Sequence, residues 1–245
     1  MVERAVPGFL PSVHGLHFAN AFPPGPTVRL GPLDPRVIGI GDASAGLCGG
    51  MALTALDLWA AGVPAPPETQ PPTNGSRRFK ALVRRQVQSL DWLRVPVRYA
   101  LLALLRPEPA HGPAALLRLP LVRVPTVTRE WPRVRDEIDA GRPCLVELVR
   151  AGGATPAALV RNHQVLAWAY ATTGTVDDAS GATVRIRVYD PNHPGRDDVT
   201  LELAVAPGDG RPLGDRVTLR QSTGEPLLGF FRGPRPPDAP VAAWR

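Results

Sequence analysis

Cysteine is scarce in this chain: Cys48 and Cys144 are the only two. Two thiols cannot build a disulfide framework and leave room for one bridge at most. Lysine is scarcer still, because all but one of the 28 basic residues are arginine and Lys80 is the exception. With 30 prolines and abundant alanine and glycine, that bias is the mark of a GC-rich genome. No apolar run approaches membrane-spanning length, and Met1 to Pro7 holds no apolar stretch of signal-peptide size. The expectation is therefore a cytoplasmic protein without a membrane partner. His14 and His17 are the nearest approach to a metal spacing, but no third ligand is in register, so no metal or cofactor is expected. No internal repeat is apparent.

What is present is a chain of 245 residues, 44% hydrophobic and 20% charged, which suits one folded domain with a substantial core. The formal net charge of +6 invites a search for nucleic-acid contacts. The arginines are scattered, however, apart from Arg77-Arg78, Lys80 and Arg84-Arg85, and few aromatics lie among them. Nucleic acid is not an expected partner. The basic cluster reads first as a solvated helix face and second as a surface for an acidic partner.

One stretch organises the rest. Gly46-Leu47-Cys48-Gly49-Gly50-Met51 leads into an apolar run ending at Gly62-Val63-Pro64, and the period and stop predict a buried helix over 51–61. A thiol at the mouth of such a helix meets the positive end of the dipole, which favours the nucleophilic thiolate. A small buried cysteine in a glycine turn is the alternative.

Around it, residues 1–45 read as an irregular arm with apolar anchors and one short strand at Val37 to Ile40. Proline density makes 63–76 a loop. Phe79, Leu82, Val83, Val87 and Leu90 recur at helical spacing, Pro96 breaks the pattern, and Val97 to Leu105 is apolar enough to be buried. Asp57 reads as a solvated face or a local ion pair. Thr128 is a candidate N-cap and Gly141 a C′ residue for a helix with Trp131, Val134, Arg135 and Ile138 on one stripe. Cys144 opens a buried strand and reads as structural. Further strands are predicted over 198–205, 216–219 and 227–231, with 234–245 a Pro-rich tail of little local preference.

Two more segments bear on the chemistry. Asn162-His163-Gln164-Val165-Leu166 opens an apolar strand, with His163 on the face of Val165, Ala167 and Ala169. Thr183 to Tyr189 returns with Val184, Ile186 and Val188 inward, and the same parity carries Asp190 inward before Pro191. In an antiparallel hairpin the start of one strand neighbours the end of the next. Cys48, His163 and Asp190 thus supply a nucleophile, a base and an orienting acceptor, and the Cys48 N–H can donate to an oxyanion.

These motifs, with Val188-Tyr189-Asp190-Pro191-Asn192, resemble the papain-like cysteine peptidase superfamily, and within it the bacterial branch that processes peptide leaders. The resemblance implies a two-lobed α+β fold, with a central helix headed by the cysteine packed against an antiparallel sheet carrying the histidine and aspartate. Residues 46–125 would form the mainly helical lobe and 126–233 the helix-plus-sheet lobe of a single domain. It also implies amide chemistry through a thioester, with a peptide or amide as substrate. Papain-like enzymes place a glutamine six residues before the cysteine as an oxyanion donor, and Asp42 stands there in this chain. An ionised carboxylate cannot donate, so Ser44, Gln164 or a backbone group would have to substitute. Asn192 is an alternative orienter to Asp190. The expected function is a cysteine hydrolase; an acyltransferase with the same triad, a silent peptide-binding module and a basic adaptor are the alternatives.

Overall fold

The computed structural model describes residues 1–23, 46–91, 94–105, 121–151, 161–174, 181–208 and 210–245. The expected strand at 37–40, the positions of Asp42 and Ser44, and the loop over 175–180 lie outside them. The fold is α+β. Among the described residues seven strands form one antiparallel sheet: β1 (Val2–Ala5), β2 (Cys144–Val149), β3 (His163–Thr172), β4 (Ala182–Tyr189), β5 (Thr200–Val205), β6 (Val217–Gln221) and β7 (Gly229–Arg232). Their order is β6-β5-β4-β3-β2-β7, with β1 paired to the far end of β3. β3 is the hub: β2 pairs with its start through Leu148↔His163 to Cys144↔Ala167, β1 with its end from Ala169 to Thr172, and β4 along its other edge. A bulge between Ala167 and Ala169 interrupts the β3–β4 register, so the predicted alternation holds from His163 only as far as Ala167. β2 is buried at every position, as a strand at the centre of a covered sheet must be.

The helices among the described residues are α1 (Pro11–His14), α2 (Cys48–Ala60), α3 (Arg77–Ser89), α4 (Arg94–Leu105), α5 (Arg123–Pro125), α6 (Trp131–Asp139) and α7 (Leu213–Arg216). None of the described helices is long and apolar enough to cross a membrane. α2 is buried from Gly49 to Leu58, the pattern of a helix packed on all sides. Ala52, Leu53, Ala55 and Leu56 join Val146, Leu148, Val165 and Val188 in the main core. Met51 and Leu58 join Leu16, Phe18, Phe79 and Leu82 in a second cluster. α2 therefore sits between the sheet and α3, and that position fixes where its first residue, Cys48, can point.

Several expectations need correction. The N-terminal arm is not irregular throughout: Val2–Ala5 hydrogen-bonds into the sheet, and Phe9, Leu16, Phe18 and Phe22 are buried anchors. Of the two readings of Asp57 the solvated face fails and the ion pair holds, but with a partner distant in the chain. The Asp57 carboxylate meets Arg85 at 2.6 Å, both side chains being almost fully buried, because the tail lies over them and Ala239 N–H donates to Asp57 at 2.9 Å. The tail itself is held, with Val241 and Trp244 in the second apolar cluster. Pro96 falls in the first turn of α4, where a missing N–H breaks no helical bond. Val97 and Leu101 are 53% and 49% exposed, so α4 is amphipathic, with Val95 and Tyr99 inward. Thr128 is no cap. A π-helical turn over Thr126–Glu130 joins α5 to α6, and the Thr128 hydroxyl donates back to the Val124 carbonyl at 3.0 Å. Gly141 does take the left-handed conformation after α6, at φ 71°.

Gly50 marks the closest approach of α2 to α3, since a Cβ there would collide with the Leu82 carbonyl oxygen. Gly50→Ala is expected to destabilise the chain by about 1–3 kcal/mol through overpacking. A lowered urea midpoint with an unchanged slope checks this.

Candidate active site

Cys48 is the first residue of α2 and is partly accessible, with Leu47 as N-cap. No side chain caps the helix locally; distant residues do so instead. The Leu47 N–H donates to Asn20 Oδ1 at 2.6 Å, and the Gly50 N–H donates to Gln86 Oε1 at 2.9 Å. Among the described residues nothing accepts from the Cys48 or Gly49 N–H. Gly46 turns at φ 87° directly against Asn20, where any Cβ would clash. Asn20 also reaches the opposite wall: its N–H donates to Pro191 O at 3.0 Å and its side-chain amide to Asn192 Oδ1 at 3.2 Å. One residue of the arm thus ties the cysteine turn to the aspartate turn.

His163 opens β3 and is 4% exposed. Its Nε2 lies 2.6 Å from Asp190 Oδ1, a short charge-assisted contact. The Cys48 sulfur is near enough to be among the groups that raise the basicity of the imidazole, and Nε2 is the nitrogen committed to Asp190. Asp190 is fully buried but not bare. Its Oδ1 also accepts from the Asn192 N–H at 2.9 Å, and its Oδ2 accepts from Gln221 Nε2 at 2.8 Å, with the Arg150 guanidinium at 3.7 Å. Gln221 in turn accepts from Arg150 at 2.7 Å.

Burial works against charge on both partners, and their contact outweighs it. Burial lowers the basicity of His163, but the Asp190 carboxylate and the Cys48 sulfur raise its pKa to about 9. Burial raises Asp190, but the imidazolium, the Asn192 N–H and Arg150 bring its pKa down to about 2.

The remaining candidates fall differently. Gln164 lies beneath the sulfur, with Oε1 at 3.9 Å from Cys48 Sγ. Its Nε2 donates to Glu147 at 2.8 Å, away from the thiol, so this orientation does not supply an oxyanion donor. The Gln164 carbonyl accepts from Ser89 Oγ at 3.0 Å and Gln86 Nε2 at 3.2 Å. Asn192 contributes its backbone N–H to Asp190, while its side chain meets Asn20. Cys144 is buried, and its thiol is pushed up to about 12, chiefly by burial and then by Glu137.

The sequence reading missed Asn20, Gln86, Ser89, Tyr99, Glu147, Arg150 and Gln221. Glu147 alone carried a signal, as the one charge in Leu145-Val146-Glu147-Leu148-Val149. It is fully buried and takes hydrogen bonds from Gln164 and from Tyr99 at 3.1 Å, and burial raises its pKa to about 8. Among the described residues no group of three or more His, Cys, Asp or Glu is placed to hold a metal ion. No family model matches the chain, and neither a curated protein nor a solved structure matches it.

The pair carries a pH signature. His163 is more basic folded than its ordinary 6.5, so its contribution to stability is complete below pH 6.5 and is lost as pH rises through about 9. Asp190 is more acidic folded than its ordinary 3.8, so its contribution is present above that value and is lost as pH falls through about 2. Urea midpoints should peak between these limits and decline above pH 6.5. Asp190→Asn should flatten both arms.

Proposed function

We propose that this chain is a cysteine hydrolase of papain-like, two-lobed organisation that cleaves a peptide or amide through a thioester. The observation that carries the reading is a buried imidazole held 2.6 Å from a buried carboxylate and close to the sulfur of the first residue of α2. In this reading α2 and α3 would form the helical side of a substrate crevice, and β3 and β4 the sheet side.

The chemistry follows from the proton inventory. The Cys48 thiolate attacks the carbonyl carbon, and the developing oxyanion takes hydrogen bonds from the Cys48 N–H at the start of α2. The His163 imidazolium gives its Nδ1 proton to the leaving nitrogen, the C–N bond breaks, and the amine departs with a thioester left on Cys48. Neutral His163 then takes a proton from water as the water attacks the thioester. The carboxylic acid leaves, and the thiolate–imidazolium pair is restored. Asp190 holds the ring throughout and stays ionised. An amine arriving in place of water would make the same residues an acyltransferase.

The Gln164 carbonyl, rather than its amide, faces the sulfur, and this favours a second reading in which the crevice binds a peptide without turning it over. Iodoacetamide followed by intact mass measurement separates the two. A hydrolase takes up one equivalent at Cys48 rapidly at pH 6.5, and His163→Ala slows that step. Against fluorogenic peptides, His163→Ala should lower turnover by about 10²–10⁴-fold, and Cys48→Ala should abolish it. Wild-type turnover by Cys48→Ala overturns the hydrolase. Alkylation at the same rate with and without His163 favours the silent module.

A further inference from the structure

On the side of α2 away from the sheet, α3 and the C-terminal tail enclose a cavity of about 420 Å³. Its lining is charged in one direction. Arg77, Lys80 and Arg84 follow one another at helical spacing along the exposed face of α3, and Arg85 forms part of the wall beside Asp57. The ordinary fate of such a face is a solvated surface or a set of ion pairs. Here no described carboxylate pairs with Arg77, Lys80 or Arg84, whereas the neighbouring Arg78 is bridged to Glu68 and lies over the Trp244 ring. Asp57 is the one acidic residue in the lining, and it is already held by Arg85 and by the Ala239 N–H.

Arg85 shows that the charge is built in. Its side chain is 3% exposed. It donates to Asp57, to Gln88 at 2.7 Å and to the Pro237 carbonyl at 3.0 Å, and its buried Nε has no acceptor. The Arg85–Asp57 pair, fixed from both α2 and the tail, makes a rigid wall, and the tail that completes the cavity is anchored by Val241 and Trp244. With Arg85 and Asp57 paired to each other, Arg77, Lys80 and Arg84 remain as an excess of positive charge at a cavity of small-molecule size, with Asp238 close to Asp57 at its margin. A single carboxylate would balance little of it. A compact anion with several charges, offering oxygens to more than one cation at once, matches the arrangement.

We propose that the α3–tail cavity binds a diphosphate group, either free or carried by a small organic molecule, in contact with Arg77, Lys80 and Arg84. The site is separate from the Cys48 crevice and does not depend on the hydrolase reading.

Titration calorimetry of the full chain with sodium pyrophosphate tests it. Saturable one-to-one binding is expected at low salt, weakened at least about tenfold by Lys80→Glu or Arg84→Glu. Both residues are exposed, and an unchanged thermal melt confirms that the variants fold. The double variant Arg185→Ala, Arg187→Ala, on β4, should bind as wild type. Tighter binding of ADP than of pyrophosphate assigns the diphosphate to an organic carrier, and equal binding assigns it to the free ion. Absence of saturable binding overturns the proposal, as does binding indifferent to Lys80→Glu and Arg84→Glu. Capture of a short DNA duplex or an acidic peptide at α3 with no response to pyrophosphate also overturns it.

Discussion

A carboxylate with no solvent exposure, 2.6 Å from an imidazole, is the constraint on which the rest of the site depends. Asp190 keeps its charge in that position because three further donors surround it: the Asn192 N–H, the Gln221 amide and, at longer range, Arg150. Removing one partner of a buried pair typically costs about 3–5 kcal/mol, so this cluster binds the end of β4 to the start of β3 as well as orienting a ring. The ring orientation then decides which nitrogen is turned away from the carboxylate. Fold and chemistry here share the same few hydrogen bonds.

The sulfur is located by a different device. α2 is clamped between two apolar clusters, and glycine at 49 and 50 lets polar neighbours and α3 come close to its first turn. A Cβ at Gly49 would run into Gln164 and Ser89, and one at Gly50 into the Leu82 carbonyl. Asn20 then fastens the turn before Cys48 to the turn after Asp190. The N-terminal arm is therefore part of the site. It enters the sheet as β1 and supplies Leu16 and Phe18 to the second cluster.

What could be read from the sequence was what repeats locally. The apolar period of α2, the alternation of Val184, Ile186 and Val188, and the placement of His163 and Asp190 at adjoining strand ends all follow from short-range pattern. The end-to-end meeting of His163 and Asp190 was legible because a hairpin leaves little freedom. The contributions of Arg150, Gln221 and Asn20 were not. They come from the far ends of β2 and β6 and from the arm, and only closure of the whole sheet brings them to Asp190 and Cys48. Asp57 was only half legible for a similar reason: a lone aspartate in an apolar helix reads as solvated or locally paired until Arg85 and Ala239 arrive from elsewhere in the chain. Thr128 misled because a hydroxyl that can cap can equally bond back within the helix.

The central claim is that Asp190 holds His163 as an imidazolium beside Cys48. Nitrogen-15 NMR of the histidine-labelled chain tests it directly, by following the His163 ring through a pH titration. The account predicts a charged ring at pH 7, with deprotonation only near pH 9, and a clear downward shift of that midpoint in Asp190→Asn. A ring that is neutral at pH 7, or one whose midpoint does not respond to Asp190→Asn, would contradict it.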